Sequence, residues 1–105
     1  MGLRTLASGV LTPGSRIVYT APTGRWTTIT SIQVVNKAGA DCQLDIIVRS
    51  AGPESHIIPS GFTFKNRYKI EHDVPVALNP AGYVKIYASL PGLSYVITGE
   101  ERTSE

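Results

Sequence analysis

The segment from Tyr19 to Asn36 constrains the fold more than any other part of the chain. A Pro/Gly turn at residues 21–24 precedes Trp26 and a long stretch of threonine, isoleucine and valine. β-Branched and aromatic side chains fit a pleated sheet, and they lose rotamer freedom in a helix. The segment therefore predicts a long strand that starts near Trp26.

This long strand does not alternate regularly. Trp26, Ile32 and Val34 fall on one parity, whereas Ile29 and Val35 fall on the other. One extra residue in a strand moves the side chains that follow it to the opposite face. The change of parity predicts a β-bulge or a subunit contact between Trp26 and Val35, or burial of both faces at different points.

The rest of the chain divides into strand-sized pieces. Seven prolines and ten glycines punctuate it at intervals of about 8 to 14 residues, which is typical of a sandwich or barrel. No segment shows a helical period. We predict one all-β domain, an antiparallel β-sandwich or jelly-roll-like domain of seven to eight strands. The predicted strands are 16–20, 26–36, 41–49, 62–71, 74–78, 83–90 and a terminal strand near 94–98, with 56–58 as an additional candidate.

The two ends of the chain differ from its middle. Residues 1–12 hold four leucine and valine side chains among glycine and serine, and an apolar arm is stable only against a partner. We expect 1–12 to be an N-terminal arm that pairs with a neighbouring subunit, 13–101 to be the sandwich, and 102–105 to be a flexible tail. The leucine and valine residues of the arm are Leu3, Leu6, Val10 and Leu11.

Composition excludes several classes of protein. Charged residues make up 17% of the chain, below the ~25% usual for soluble domains, which suits a surface covered by partners. The net charge of +2 is too weak to indicate nucleic acid. The single cysteine cannot form an internal disulfide. No signal peptide or apolar membrane span is expected, so we predict cytosolic synthesis, with any later location reached by assembly.

The chemistry of the side chains gives no catalytic motif. Cys42 lies on the apolar face of a strand, which predicts a buried, inert thiol. His56 and His72 lack metal-ligand spacing with Cys42. Asp41 and Asp45 are about 13 Å apart by strand rise, too far to share one ion. We therefore expect no enzymatic activity, no cofactor and no metal.

Lys65, Arg67 and Lys69 form the one concentrated run of positive charge. Alternation would place all three on one strand face, either as a solvated face that protects a sheet edge or as a contact for an acidic partner or nucleic acid. Single-stranded nucleic acid requires aromatic residues on that same face. Alternation puts the neighbouring aromatics opposite, so we expect them to pack in the core and expect no direct nucleic-acid binding. These aromatics are Phe62, Phe64 and Tyr68.

Tyr83 and Tyr87 are expected to be exposed on a strand. They could stack on sugars or fill an interface, where tyrosine is enriched. A sugar site would also need Asp, Asn or Arg in one loop cluster, and the spacing shows none. An interface or a plain sheet surface is therefore the preferred interpretation, and sugar binding stays unsupported.

Four segments, read in order, carry a resemblance. They are the run from Tyr19 to Asn36, the strand Leu44-Asp-Ile-Ile-Val, the segment that begins Val76-Ala-Leu-Asn-Pro-Ala-Gly-Tyr, and the closing Leu93-Ser-Tyr-Val-Ile-Thr-Gly-Glu-Glu. Together they cover most of residues 17–101. In this order they resemble the small β-sandwich proteins of tailed bacteriophage virions.

The resemblance implies a structural virion protein without catalytic residues. A capsid decoration (cement) subunit is the first expectation, and a tail, neck or fibre subunit is the alternative within that class. A carbohydrate-binding module for host attachment is the alternative from another class. The implied partners are further copies of the chain, often as a trimer, and the major capsid or other virion proteins. The candidate interface residues are Leu3, Leu6, Val10, Leu11, Trp26, Lys65, Arg67, Lys69, Tyr83 and Tyr87.

Overall fold

The computed structural model describes residues 4–50, 52–58, 61–73 and 75–102. Those residues form ten strands and no helix. The all-β prediction is therefore confirmed for the described part of the chain. The strands are β1 (Arg4–Val10), β2 (Gly14–Thr20), β3 (Trp26–Asn36), β4 (Cys42–Arg49), β5 (Ser55–His56), β6 (Phe62–Phe64), β7 (Lys69–His72), β8 (Val76–Leu78), β9 (Tyr83–Ala88) and β10 (Leu93–Arg102).

The strands make two antiparallel sheets, which fits a β-sandwich. Sheet A has the order β1-β10-β3, and β7 and β8 both pair with the far edge of β3. Sheet B has the order β2-β9-β4, and β5 and β6 both pair with the far edge of β4. Inward side chains of both sheets form one hydrophobic core, in which Ile32, Leu44, Ile86 and Ile97 are fully buried.

The predicted number of strands, seven to eight, was too low. Each sheet has one edge position that is shared by two short strands, so ten strands fill eight positions. The predicted continuous strand 62–71 was wrong, because Phe62–Phe64 belongs to sheet B and Lys69–His72 belongs to sheet A. A turn separates them: the N–H of Tyr68 donates to the carbonyl of Lys65 at 3.2 Å.

A β-bulge causes the change of parity in β3. It is one of the explanations that the sequence predicted. Ser31 lies opposite Thr98 and Ile29 lies opposite Gly99, so Thr30 is the extra residue. Ile29 and Ile32 are therefore both buried although they differ in parity. The bulge also demands a glycine across from it, because a Cβ on Gly99 would lie 2.2 Å from the carbonyl oxygen of Thr28.

The N-terminal segment belongs to the sandwich in the structure. β1 pairs antiparallel with β10 of the same chain, from Arg4 opposite Gly99 to Val10 opposite Ser94. Leu11 is 1% exposed and its N–H donates to the carbonyl of Leu93 at 2.6 Å. The expected N-terminal arm at 1–12 is therefore corrected over residues 4–12, which belong to the sandwich. The sequence shows that a residue is apolar, but it does not show whether that residue packs against its own chain or against a partner.

Candidate functional site: two surfaces and a cleft

The outer face of sheet A carries uncharged side chains over most of its area. Antiparallel register aligns outward-facing side chains in three successive rows, each with one residue from β1, one from β10 and one from β3. Val96, in the middle row, is 37% exposed and Val10 is 59% exposed. We call these rows the neutral face; they are Val10–Ser94–Val35, Ser8–Val96–Gln33 and Thr5–Thr98–Ser31.

Charged groups lie at the borders of the neutral face. Lys69 and Glu71 on β7 pair with each other at 3.5 Å. At the other end, Arg102 is paired in register with Trp26, which is half-buried. The centre of valine, serine, threonine and glutamine is low in charge, as interface cores are, although it lacks the aromatic residues that interfaces favour.

The outer face of sheet B has a different character. Glu54 accepts hydrogen bonds from Tyr83 and from the Lys85 ammonium, the latter at 2.9 Å. The Arg49 guanidinium lies 5.9 Å from the centre of the Tyr83 ring. The hydrogen bonds from Tyr83 and then from Lys85 lower the pKa of Glu54. The hydrogen bond between Tyr83 and Glu54 also raises the pKa of Tyr83. Tyr83 is thus engaged in a surface network, whereas Tyr87 lies half-buried between Ser15 and Asp45.

A buried carboxylate links the two sheets at one end of the sandwich. Glu101 on β10 accepts hydrogen bonds from Arg4 and from the Tyr19 hydroxyl, each at 2.5 Å. The Tyr19 hydroxyl also lies 2.9 Å from the Thr27 hydroxyl oxygen. Burial, and then the hydrogen bond to Glu101, raise the pKa of Tyr19 to about 12. The Arg4 guanidinium balances the charge of Glu101, and removing Arg4 would leave this buried carboxylate without its nearest counter-charge.

Asn36, at the end of β3, organises the opposite end. Its side-chain amide donates to the carbonyls of Ala40 and Phe64 at 3.0 Å and of Lys65 at 3.2 Å. Its side-chain oxygen accepts from the N–H of Ala38 at 2.9 Å. The residue is fully buried. Asn36 therefore fixes the turn after β3 and the turn that separates β6 from β7.

The turn at residues 65–68 carries the predicted basic residues in an unexpected arrangement. Arg67 has a left-handed backbone with a φ of 66°, and its N–H donates to the carbonyl of Asn36 at 3.0 Å. Lys65, Arg67 and Lys69 are all exposed, but Lys65 and Arg67 lie on the turn and Lys69 begins β7, so the three do not share one strand face. The predicted basic stripe is therefore wrong in its geometry. The expectation that Tyr68 packs in the core is also wrong, because its side chain is 64% exposed.

The same turn borders a cleft between the edges of the two sheets. Its volume is about 300 Å³. Phe64 is buried at its base, while Phe62 is 36% exposed. The predicted opposition between aromatics and cations is absent here, because two lysines line the same cleft. We call this site the Phe62 cleft; it is lined by Phe62, Thr63, Phe64, Lys65, Tyr68, Lys69 and Ile70.

The predicted interface residues do not form one surface. Val10 lies on the neutral face, and Trp26 lies at its end. Leu6 packs against the core and Leu11 is inside it, so Leu11 cannot offer a contact. Leu3 lies outside the described residues. The basic residues Lys65 and Lys69 line the Phe62 cleft, while Arg67 borders a hollow beside it.

The groups considered for chemistry have structural roles. Cys42 is 4% exposed, as predicted, and burial raises the pKa of its thiol. Asp41 and Asp45 accept hydrogen bonds from the backbone N–H groups of Asn66 and Gly61. Across the described ranges, no three residues among His, Cys, Asp and Glu are grouped to hold a metal ion. The same ranges contain no helix long and apolar enough to cross a membrane.

Sequence reasoning missed the residues that organise the two ends, Asn36 and Glu101. The signal for Glu101 was present, because alternation from Leu93 through Tyr95 and Ile97 places it on the inward face. Comparison of the chain with protein-family models, with curated proteins and with solved structures found no match. The neutral face and the Phe62 cleft are therefore the features of the molecule that can indicate its function.

Proposed function

We propose that this chain is a structural protein of a tailed bacteriophage virion, a decoration or cement subunit that stabilises the head through protein–protein contacts. The observation that carries the proposal is the neutral face of sheet A. Its middle row, Ser8–Val96–Gln33, is uncharged and lies between two further uncharged rows. Small hydroxyl and valine side chains let another protein surface approach closely and leave few charges to desolvate.

The open edge beside the neutral face supports the same proposal. β1 is seven residues long, its register with β10 shifts once between Thr5 and Ala7, and within the described chain only its β10 side is paired. Its one charged residue is Arg4, at the end. Sheet edges in monomeric proteins are usually blunted by lysine, proline or short strands. The opposite edge has these features, since β7 and β8 are short and Pro75 lies between them.

The connectivity agrees with the family resemblance. When each divided edge is counted as one position, the strand orders are 1-8-3-6 in sheet A and 2-7-4-5 in sheet B. We infer that the domain is a jelly roll, in which two Greek keys are wound into two sheets. Jelly rolls are common in viral capsid proteins, although a fold alone does not determine a function.

Light scattering on wild-type and variant protein tests the contact. The proposal predicts an oligomer, with a trimer as the first expectation, at micromolar concentration. Val96→Glu should produce a monomer, because it buries an unpaired carboxylate at the centre of the contact. Ile17→Glu is the matched control, since Ile17 is 50% exposed on the other sheet.

Circular dichroism should show that both variants stay folded. A wild-type protein that is monomeric without a particle to bind would count against the proposal. A Val96→Glu variant with the wild-type mass would exclude the neutral face as the contact.

A further inference from the structure

The Phe62 cleft has the shape and lining of a site for one apolar side chain. It opens between β6 at the edge of sheet B and β7 at the edge of sheet A, and neither strand has a second partner within the described residues. The aromatic rings of Phe62 and Tyr68 are partly exposed beside it, and the aliphatic Ile70 completes its wall. A volume of about 300 Å³ is at the small end for a ligand pocket.

Positive charge surrounds the opening. Lys65 and Lys69 line the cleft and Arg67 lies on the turn between them. Among the residues that the structure describes, Lys65 and Arg67 have no ion-pair partner, and Lys69 has only the exposed Glu71 at 3.5 Å. An apolar ligand that carries carboxylates would meet complementary charge here.

A second hollow borders the same turn. Asn66 and Arg67 line it together with Lys37. The side-chain oxygen of Asn66 is buried, and no donor in the described parts of the chain reaches it. A buried acceptor without a donor is costly, but its burial puts it out of reach of a bound chain, so this oxygen is not part of the peptide site.

The geometry points to a binding site for an extended acidic peptide segment of a partner protein, which places one bulky apolar side chain in the Phe62 cleft. β6 and β7 are short, so only a short extended segment can pair with their free edges; there backbone hydrogen bonds give affinity and a pocket for one side chain gives specificity. The basic turn then pairs with carboxylates on either side of that residue. This site adjoins the neutral face at Lys69, which is paired in register with Val35, and it adds a second kind of partner to the proposed assembly contact.

Single-stranded nucleic acid fits the site less well. It needs a basic groove that follows the backbone and open ring faces for several bases. Here Phe64 is buried and Ile70 offers no ring, so Phe62 and Tyr68 are the two partly exposed rings of the lining. The cleft accepts one apolar group and does not provide a continuous track for phosphates.

A selection from a yeast-displayed library of random ten-residue peptides, against the full-length protein, tests the inference. We expect the enriched peptides to share a leucine, phenylalanine or tryptophan flanked by aspartate or glutamate. Fluorescence anisotropy with the best labelled peptide should give binding that weakens at least tenfold in Tyr68→Ser and in Lys65→Glu. The matched controls Tyr87→Ser and Arg16→Glu should bind within twofold of wild type.

Three outcomes would overturn the inference. The first is enrichment of no peptide whose binding depends on Tyr68. The second is a consensus without acidic residues. The third is tighter binding of a ten-nucleotide oligothymidine than of any selected peptide, which would favour nucleic acid instead. Light scattering on Lys65→Glu separates this site from the proposed assembly contact, because that variant should keep the wild-type oligomer.

Discussion

Asn36 ends the long strand β3 and also holds the turn that borders the Phe62 cleft. Its side-chain amide donates to three carbonyls from two turns, and its side-chain oxygen accepts from a fourth backbone group, the N–H of Ala38. Such a side chain cannot be replaced without leaving buried backbone groups unpaired. The position of the basic turn, and therefore of the Phe62 cleft, depends on it.

Asn36→Asp is a sharp test, because it keeps the shape of the side chain. The carboxylate would have no N–H groups to donate and would face the carbonyl oxygens of Phe64 and Lys65. We expect the free energy of unfolding to fall by about 3 kcal/mol or more at neutral pH. Urea unfolding followed by tryptophan fluorescence measures the loss. Asn79→Asp, at an exposed position, should change stability by less than about 0.5 kcal/mol; equal effects at both positions would contradict the role of Asn36.

At the scale of single elements, the bulge in β3 is the feature that aligns sheet A. Thr30 is the extra residue, and Gly99 on β10 leaves room for the displaced backbone. Burial on both parities of β3 follows from this one insertion. The outward rows of the neutral face depend on the register that the bulge sets.

Gly99→Ala should disturb this register. The new Cβ would meet the carbonyl oxygen of Thr28 at 2.2 Å and the Cα of Ile29 at 3.0 Å, and backbone atoms cannot move aside as a side chain can. We expect a loss of about 2 to 4 kcal/mol in thermal or urea unfolding. Gly9→Ala is the control, because its nearest neighbour is the Tyr95 hydroxyl at 3.2 Å, the end of a side chain. A similar loss in both variants would argue against a special role for the bulge.

The elements differ in how well their sequences predict them. β3 and its bulge were predictable, because β-branched residues report a strand and their parity reports which face is buried. The division of 62–71 was not, because Phe62 through Ile70 alternate as a single strand would. Arg67 holds the left-handed backbone that glycine usually supplies, so Asn66 is the one turn-favouring residue at the break, with no glycine or proline beside it. The basic residues were therefore found, while the cleft that they line was hidden.

At the scale of the whole molecule, the two sheets have different outer faces. Sheet B carries the Glu54–Tyr83–Lys85 network, while sheet A presents uncharged rows next to the open edge of β1. The sequence predicted an assembly role from its low charge, but the contact surface depends on register, which brings together residues from β1, β3 and β10. This difference between the outer faces favours the proposal that the subunit contacts another protein through the outer face of sheet A.

The most direct test of that role is the copy number of this protein in purified phage particles from a culture that carries its gene. Quantitative mass spectrometry counts the copies per particle, and cryo-electron microscopy locates them. The proposal predicts hundreds of copies on the head, with the neutral face of sheet A in contact with the shell or with neighbouring subunits. A handful of copies at one vertex would assign the protein to the neck or tail instead. Absence from washed particles would contradict a structural role in the virion.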